Sequence, residues 1–441
     1  MRNKICLLFI LLGLISLILG IFLGLLSSIQ YVIPEFIKAI VPFSHLRSMH
    51  TVCVIAWIIL TGTGGVYYYI SKDLPIYSYI LLKIHFIIFL GAGILILISY
   101  LLGNFGGKEY LEFPPFLIIP ILLGWVIFGI NYYKTLIKKL DNWPVYYWMW
   151  GTGIIFMIYH LLEAYSWLIP SVNSNFIKSL TIQWKAGGSF VGAWNMLIYG
   201  TAIYLMSKIK HDDSIGRKFN YFFFYFLGLT NLMFGWAHHI YIVPTERWIR
   251  YFAYVISMTE WIVLFNIIYE WKKSVTIDIK KQHLLSYQFL KLTDKWIFLN
   301  IILALLVSIP AINLYTHGTH ITVAHAMGTT IGINTSILLA SVLYIISEFI
   351  TISNFDIKYI GYKIFDYSLF FFWIILIIAG IYKSYWVQNN GMNSFSTLHQ
   401  NLLWVYISFS VAGVGLFVGL LLIVIPLIKK INQIIYYKNE L

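Results

Sequence analysis

The side chains able to do chemistry in this sequence are mostly histidines. His50, the adjacent pair His238-His239 and His325 lie in or beside long apolar runs. An imidazole in hydrocarbon is costly unless it is hydrogen-bonded or holds a metal, and imidazole is the usual axial ligand of haem iron. Each of these histidines either bonds a carbonyl on a neighbouring helix or belongs to a metal or haem site; the adjacent pair favours the second. Glu260 follows His239 by 21 residues inside another apolar run, and a carboxylate there is a functional candidate on that ground alone. His160 and Glu163 share a helix face at i and i+3, as a proton relay or as an ordinary interhelical hydrogen bond. Lys185, an unusual cation within an apolar run, is expected to snorkel outward rather than to attract an anion.

These residues need elements to hold them, and the composition dictates which. Of 441 residues, 60% are hydrophobic and 11% charged, which makes the chain an integral membrane protein and leaves no room for a separate soluble domain. The expected architecture is all-α, a single membrane domain over residues 1–441 with twelve transmembrane helices. The apolar runs place the first six spans near Ile5–Leu26, Arg47–Ile70, Ile76–Leu102, Phe116–Tyr133, Val145–Leu168 and Ile182–Met206. The other six fall near Phe219–Ile242, Trp248–Trp271, Trp296–Leu314, Ile321–Ile350, Ser368–Tyr382 and Leu402–Ile428. The first run resembles a signal peptide but has no clear small-residue cleavage site, and is read as a retained helix. Lys272–Lys295 is read as a cytoplasmic loop.

With the amino terminus in the cytoplasm, 21 of the 30 Lys and Arg fall on that side, among them Lys134, Lys138, Lys139, Lys208 and Lys210. This is the positive-inside bias of a bacterial-type cytoplasmic membrane protein, and an even number of spans returns the carboxyl terminus to the same side. The formal charge of +13 is thus spread over loops, which excludes nucleic acid as a partner. Two cysteines, Cys6 and Cys53, exclude a disulfide framework, a cysteine zinc site and covalent c-type haem, so any haem is held non-covalently. Nine of the twelve histidines lie in the outer half, opposite the basic excess. His50, His238, His239 and His325 come out at one depth, roughly 5 to 10 Å below the outer boundary at 1.5 Å per residue. The 16 tryptophans and the 18% aromatic content suit packing against a macrocycle.

The run Leu46–Thr51, the loop Gly107–Pro114, the run Thr316–Met327 and the spacing of His238, His239 and Glu260 together resemble the haem–copper oxidase superfamily, above all the large subunit of bacterial nitric oxide reductases, a branch close to cbb-type oxidases. Leu46-Arg47-Ser48-Met49-His50-Thr51 resembles the Arg-x-x-His element, in which the histidine binds a low-spin haem and the arginine meets a propionate. Gly107-Lys108-Glu109-Tyr110-Leu111-Glu112-Phe113-Pro114 looks like a loop that supplies a calcium ligand near the propionates, which would involve Glu109 and Glu112. The run from Thr316 to Met327 resembles the signature in which His325 takes the high-spin haem. His238, His239 and Glu260 reproduce the reductase spacing of two non-haem metal ligands and a neighbouring glutamate. The resemblance implies a twelve-helix bundle of the oxidase subunit I type, a low-spin haem b and a high-spin haem b facing a non-haem iron or copper. It also implies electrons from a cytochrome c-type subunit or from quinol, a gaseous substrate, and membrane lipid around the bundle.

The sequence departs from that pattern at several positions. In Gln183-Trp184-Lys185-Ala186-Gly187-Gly188-Ser189-Phe190-Val191-Gly192, Gly188 takes the place of the third metal-binding histidine, and Gly192 that of a metal-associated glutamate, so Glu260 is expected to join His238 and His239 as a metal ligand, a two-His-one-carboxylate set that favours non-haem iron. Leu232 replaces the active-site tyrosine of cbb-type oxidases. Met327 stands where the family has the second low-spin haem ligand, and either ligates through its thioether or only fills space. Two readings follow: a respiratory oxidoreductase that reduces or dismutates nitric oxide, or reduces dioxygen; or a haem-binding electron-transfer or gas-sensing subunit that has lost the binuclear centre.

Overall fold

A computed structural model describes residues 4–137, 142–350, 359–389 and 395–437; Lys138 and Lys139 lie outside the described residues. The described chain is helical almost throughout. The first long helices are α1 (Lys4–Val32), α2 (Phe43–Asp73), α3 (Tyr79–Leu101), α4 (Ile118–Leu136), α5 (Val145–Ala164) and α6 (Phe176–Lys210). Then come α7 (Phe219–Phe234), α8 (Arg247–Ser257), α9 (Glu260–Ser274), α10 (Leu284–Ser308), α11 (Pro310–Thr316) and α12 (His320–Met327). The last are α13 (Ser336–Ser347), α14 (Tyr359–Asn389) and α15 (Leu403–Tyr437).

Local chemistry sets many of these boundaries. Pro42 and Pro144 precede α2 and α5, where a missing N–H costs nothing. The side chains of Ser78, Asn175 and Thr319 accept from backbone N–H groups in the first turns of α3, α6 and α12. His211, at φ +55°, ends α6 behind Lys208 and Lys210, which face the negative end of the helix dipole.

Each expected span coincides with helical structure, but several are broken or shifted. Among the described residues, nine helices are long and apolar enough to cross a membrane, and α10 with α11, bent by 100° between them, would make a tenth. Spans five and seven fall outside that group. The 20 residues of α5 include several Tyr, Trp and Gly together with His160 and Glu163, which lowers the mean hydropathy. After 16 residues α7 gives way to a tight 3-10 turn, Gly235–Ile240. The expected loop Lys272–Lys295 is largely helical: α9 runs to Ser274, a short helix covers Ile277–Gln282, and α10 starts at Leu284. Its charges hid an apolar face, since Phe289, Leu290 and Leu292 are buried while Lys295 pairs with Asp366 at 2.6 Å.

Helices approach closely where small residues meet, as membrane bundles require. A Cβ on Gly64 of α2 would lie 2.8 Å from the Cys6 carbonyl oxygen of α1, and one on Gly153 of α5 would lie 2.9 Å from the Ala193 carbonyl oxygen of α6. The pairs α1–α2, α5–α6 and α14–α15 are thereby locked, with α1 also packed on α15. Between α12 and α13 the chain widens into a π-helical stretch, Gly328–Thr335, a form that is rare and often marks functional sites.

Candidate functional site

On α2, His50 Nδ1 lies 2.7 Å from the carbonyl oxygen of Gly20 on α1. A carbonyl only accepts, so Nδ1 carries the proton and the Nε2 lone pair is free. This is how second-shell contacts fix the tautomer of a metal-binding imidazole. His50 therefore fits an axial ligand: the same bond that satisfies one nitrogen orients the other. The ring also lies against Gly24, whose missing side chain leaves it room.

One turn earlier, Arg47 pairs with Glu112 Oε1 and the Ser48 hydroxyl donates to Glu112 Oε2. Both oxygens of Glu112 are thus committed to the start of α2. The loop is folded to present that carboxylate: the N–H groups of Gly106 and Gly107 donate to the Glu112 carbonyl at 3.0 and 3.1 Å, and Tyr110 takes a left-handed φ of +67°. Glu109 stays exposed, with Arg47 and Glu112 acting on it electrostatically. The sequence placed the two glutamates in one loop but did not show that Glu112 clamps Arg47, because the partners are 65 residues apart.

His238 and His239 sit in the 3-10 turn after α7, with ring centroids 4.2 Å apart. Ser257 Oγ of α8 lies 3.4 Å from His238 Nδ1. His325 of α12 and His317 are close enough to act electrostatically on both rings, and His317 also packs on Trp184 of α6 at 5.1 Å between centroids. The structure thus brings His325 and His317 within electrostatic reach of His238 and His239. His325 Nδ1 is buried with no protein partner. At 100° per residue, Met327 leaves α12 on nearly the opposite side from His325, so the two cannot serve the same face.

The departures from the family pattern prove to be physically matched. A Cβ on Gly188 would run into the His239 ring, 2.6 Å from Nε2 and closer still to Cδ2, so His239 lies over the place where a third histidine would start. A Cβ on Gly192 would meet Leu232 Cδ1 at 2.7 Å, so Leu232 fills the space beside Gly192. Glu260, at the break between α8 and α9, lies near Asn231 and Gly228. Among the described residues, no three His, Cys, Asp or Glu side chains are gathered closely enough to hold a metal ion. Of the expected metal-site residues, His238 and His239 lie side by side, and Glu260 is not gathered with them into such a group.

Lys185 does not snorkel. It turns inward to pair with Glu163 Oε1 of α5, while His160 Nδ1 lies 3.1 Å from Glu163 Oε2. A carboxylate within reach on the neighbouring helix outweighs the pull of the interface.

Haem fits the residues present. His50, His238, His239 and His325 bring four imidazoles, each half-buried, to the described bundle. His50 offers an oriented free nitrogen, and His325 Nδ1 is unclaimed by protein.

The chain belongs to the family "Cytochrome C and Quinol oxidase polypeptide I", whose pattern matches residues 4–353. It is accordingly a multi-pass respiratory membrane oxidoreductase of the haem–copper oxidase superfamily, a family that carries haem and a metal site. It is 22% identical over 435 residues to a nitric oxide reductase subunit from Stutzerimonas stutzeri, covering 90% of this chain and 88% of that one. Its fold is similar to that of a haem–copper terminal oxidase dimer seen by cryo-EM, with a TM-score of 0.76 at 15% identity over 97% of this chain and 84% of the other.

Proposed function

We propose that the chain is the catalytic subunit of a gas reductase that acts on nitric oxide by reduction or dismutation, with dioxygen as the alternative substrate. His50 would hold a low-spin haem b, with Met327 as its second ligand, and His325 a high-spin haem b. His238 and His239 would hold non-haem iron or copper, with Glu260 as the nearby carboxylate that handles protons. The observation that carries the reading is the His50–Gly20 bond, since it frees and aims one imidazole nitrogen in a motif shared with the family. Haem iron, when bound, supplies electrons and a coordination position for a diatomic gas. The chain's own residues orient it: Glu112 fixes Arg47 beside the His50 turn, and the π-helical stretch supports the helix bearing His325 and Met327.

In this reading the bundle has twelve spans, both termini are cytoplasmic, and the membrane is a bacterial-type cytoplasmic membrane. Electrons enter from a cytochrome c-type subunit or from quinol. Calcium, which the loop resemblance implies, would meet the exposed carboxylate of Glu109, because Glu112 is committed. The second reading, a haem protein for electron transfer or gas sensing, is favoured by one observation: His239 covers Gly188, and among the described residues no third ligand joins the pair. Haem and metal quantification of the purified protein, with nitric oxide and dioxygen consumption, separates the two. Two haems, one non-haem metal and gas turnover support the reductase. Haem alone, without turnover, supports the second reading.

A further inference from the structure

Beside the histidine pair lies a charged triad that the proposed reaction leaves without a role. Glu163, near the end of α5, accepts from Lys185 of α6 through Oε1 and from His160 Nδ1 through Oε2. His160 is 3% exposed and Glu163 14%. A carboxylate oxygen accepts, so the neutral His160 carries its proton on Nδ1 and a lone pair on Nε2. That Nε2 is buried and has no hydrogen-bond partner. Leaving it so costs desolvation free energy, and it is a place where a proton can bind.

The other end of the triad points to the histidine turn. Lys185 Nζ lies 5.3 Å from the ring centroid of Trp236, which belongs to the same 3-10 turn as His238 and His239. Lys185 is also three residues before Gly188, on one face of α6, and Gly188 abuts His239. The groups around the triad are few. Tyr159 packs its ring 5.0 Å from that of His160, His317 lies against Trp184, and Lys108 binds Ser179 Oγ at 3.0 Å near the start of α6. The charges that act on Glu163 itself are His160 and Lys185. A buried ion pair is weak support for stability compared with apolar side chains of the same volume, whereas ionisable groups inside a membrane characteristically line proton paths.

We infer that His160, Glu163 and Lys185 form a relay that carries protons from the outer face of the membrane to the histidine site, an inference that rests on the gas-reducing function proposed above. Lys185 gives one proton from its ammonium toward the site and becomes an amine. The proton on His160 Nδ1 crosses the Glu163 carboxylate to replace it, and His160 Nε2 takes up the incoming proton. A flip of the ring restores the starting tautomer. Each cycle moves one proton, leaves all three groups in their original charge states and transfers no electron.

The test uses the haem-loaded protein in liposomes, oriented with its outer face toward a pH-sensitive dye. The haem is photoreduced without any gas present, and proton uptake that accompanies the arriving electron is followed in time. Glu163→Gln and Lys185→Arg are expected to slow uptake from the outer side by about a hundredfold or more, at the low end of what losing a positioned acid or base costs, with haem content and reduced spectrum unchanged. Lys185→Arg keeps the charge and the ion pair but cannot give up its proton, so it separates proton transfer from folding if Glu163→Gln is poorly assembled. Parent-like uptake in a fully haem-loaded Lys185→Arg protein overturns the relay, as does a parent that takes up no protons from the outer side. A parent with outer-side uptake that Lys185→Arg slows, but with no consumption of nitric oxide or dioxygen, overturns the proposed function and leaves the relay standing.

Discussion

Gly188→Ala adds a single carbon at the place where His239 has moved in. The new Cβ would lie 2.6 Å from His239 Nε2 and closer still to Cδ2. Non-bonded heavy atoms rest at about 3.5–4.0 Å, so the ring must retreat by about 1 Å or turn off its rotamer. Overfilling a packed interior in this way costs about 1–3 kcal/mol, and each 1.4 kcal/mol is about a tenfold change in a binding constant. The ring cannot retreat freely, since the His238 ring stands 4.2 Å away between centroids. The expected outcome is a normally inserted protein whose haem loading matches the parent, but whose carbon monoxide or nitric oxide affinity falls by about tenfold. Gas titration followed by the Soret band measures this, and the carbonyl stretching frequency reports whether the wall facing the bound gas has moved. An unchanged affinity with an unshifted stretch would refute the placement of His239 over Gly188 beside the gas site. The same geometry governs Gly188→His, which must expel His239 before the new imidazole can reach a metal.

The other substitutions test one link each. His50→Ala should remove the low-spin haem while the helix inserts normally, because only the nitrogen aimed by Gly20 is lost; the reduced spectrum and haem-to-protein ratio check this, and an unaltered spectrum counts against the assignment. His325→Ala should abolish the haem that binds carbon monoxide, and a surviving carbonyl spectrum would remove His325 from that role. In the loop after α6, the Ser214 hydroxyl, with Lys210 and Lys218, holds the Asp212 carboxyl down at about 2. Its folded value is below the ordinary one, so its stabilisation is present above about pH 4 and is lost as pH falls toward 2. Asp212→Asn should therefore lower the thermal midpoint slightly at neutral pH, and the difference should vanish under acid; a constant offset across that range would contradict the sign.

The bundle was legible because hydrocarbon imposes a simple requirement: every apolar run of about 20 residues must become a helix. Breaks within those runs were not legible. Nothing in Phe219–Ile242 announces that the helix ends at Phe234, yet that ending puts His238 and His239 on a tight turn instead of a regular helix face. The Lys272–Lys295 segment misled for the opposite reason, its charges masking the buried face of α10. His50, His325 and the histidine pair were legible through their motifs. Their partners were not, because Glu112 for Arg47, Glu163 for Lys185 and Ser257 for His238 are contacts between helices distant in sequence. Spacing along one helix showed the bond between His160 and Glu163 but not the cation that completes the triad.

The altered residues decide how the loss of the usual ligands should be understood. A site that had merely decayed would leave gaps, because each deleted side chain removes contacts that nothing restores. Here the gaps are closed in pairs. Leu232 covers Gly192, and His239 covers Gly188. In each pair the covering residue lies on α7 or the turn behind it and the glycine on α6, so the residues of the two segments constrain one another. Exchanging only one member of a pair should cost more than exchanging both. Gly192→Glu alone would drive a carboxylate into Leu232, whereas Gly192→Glu with Leu232→Tyr supplies a phenol that can donate to it. If the double variant loads haem as well as the parent while the single variant does not, the two positions are energetically coupled and the distal wall is a rebuilt surface. Equal losses in both would mean that the contact is incidental.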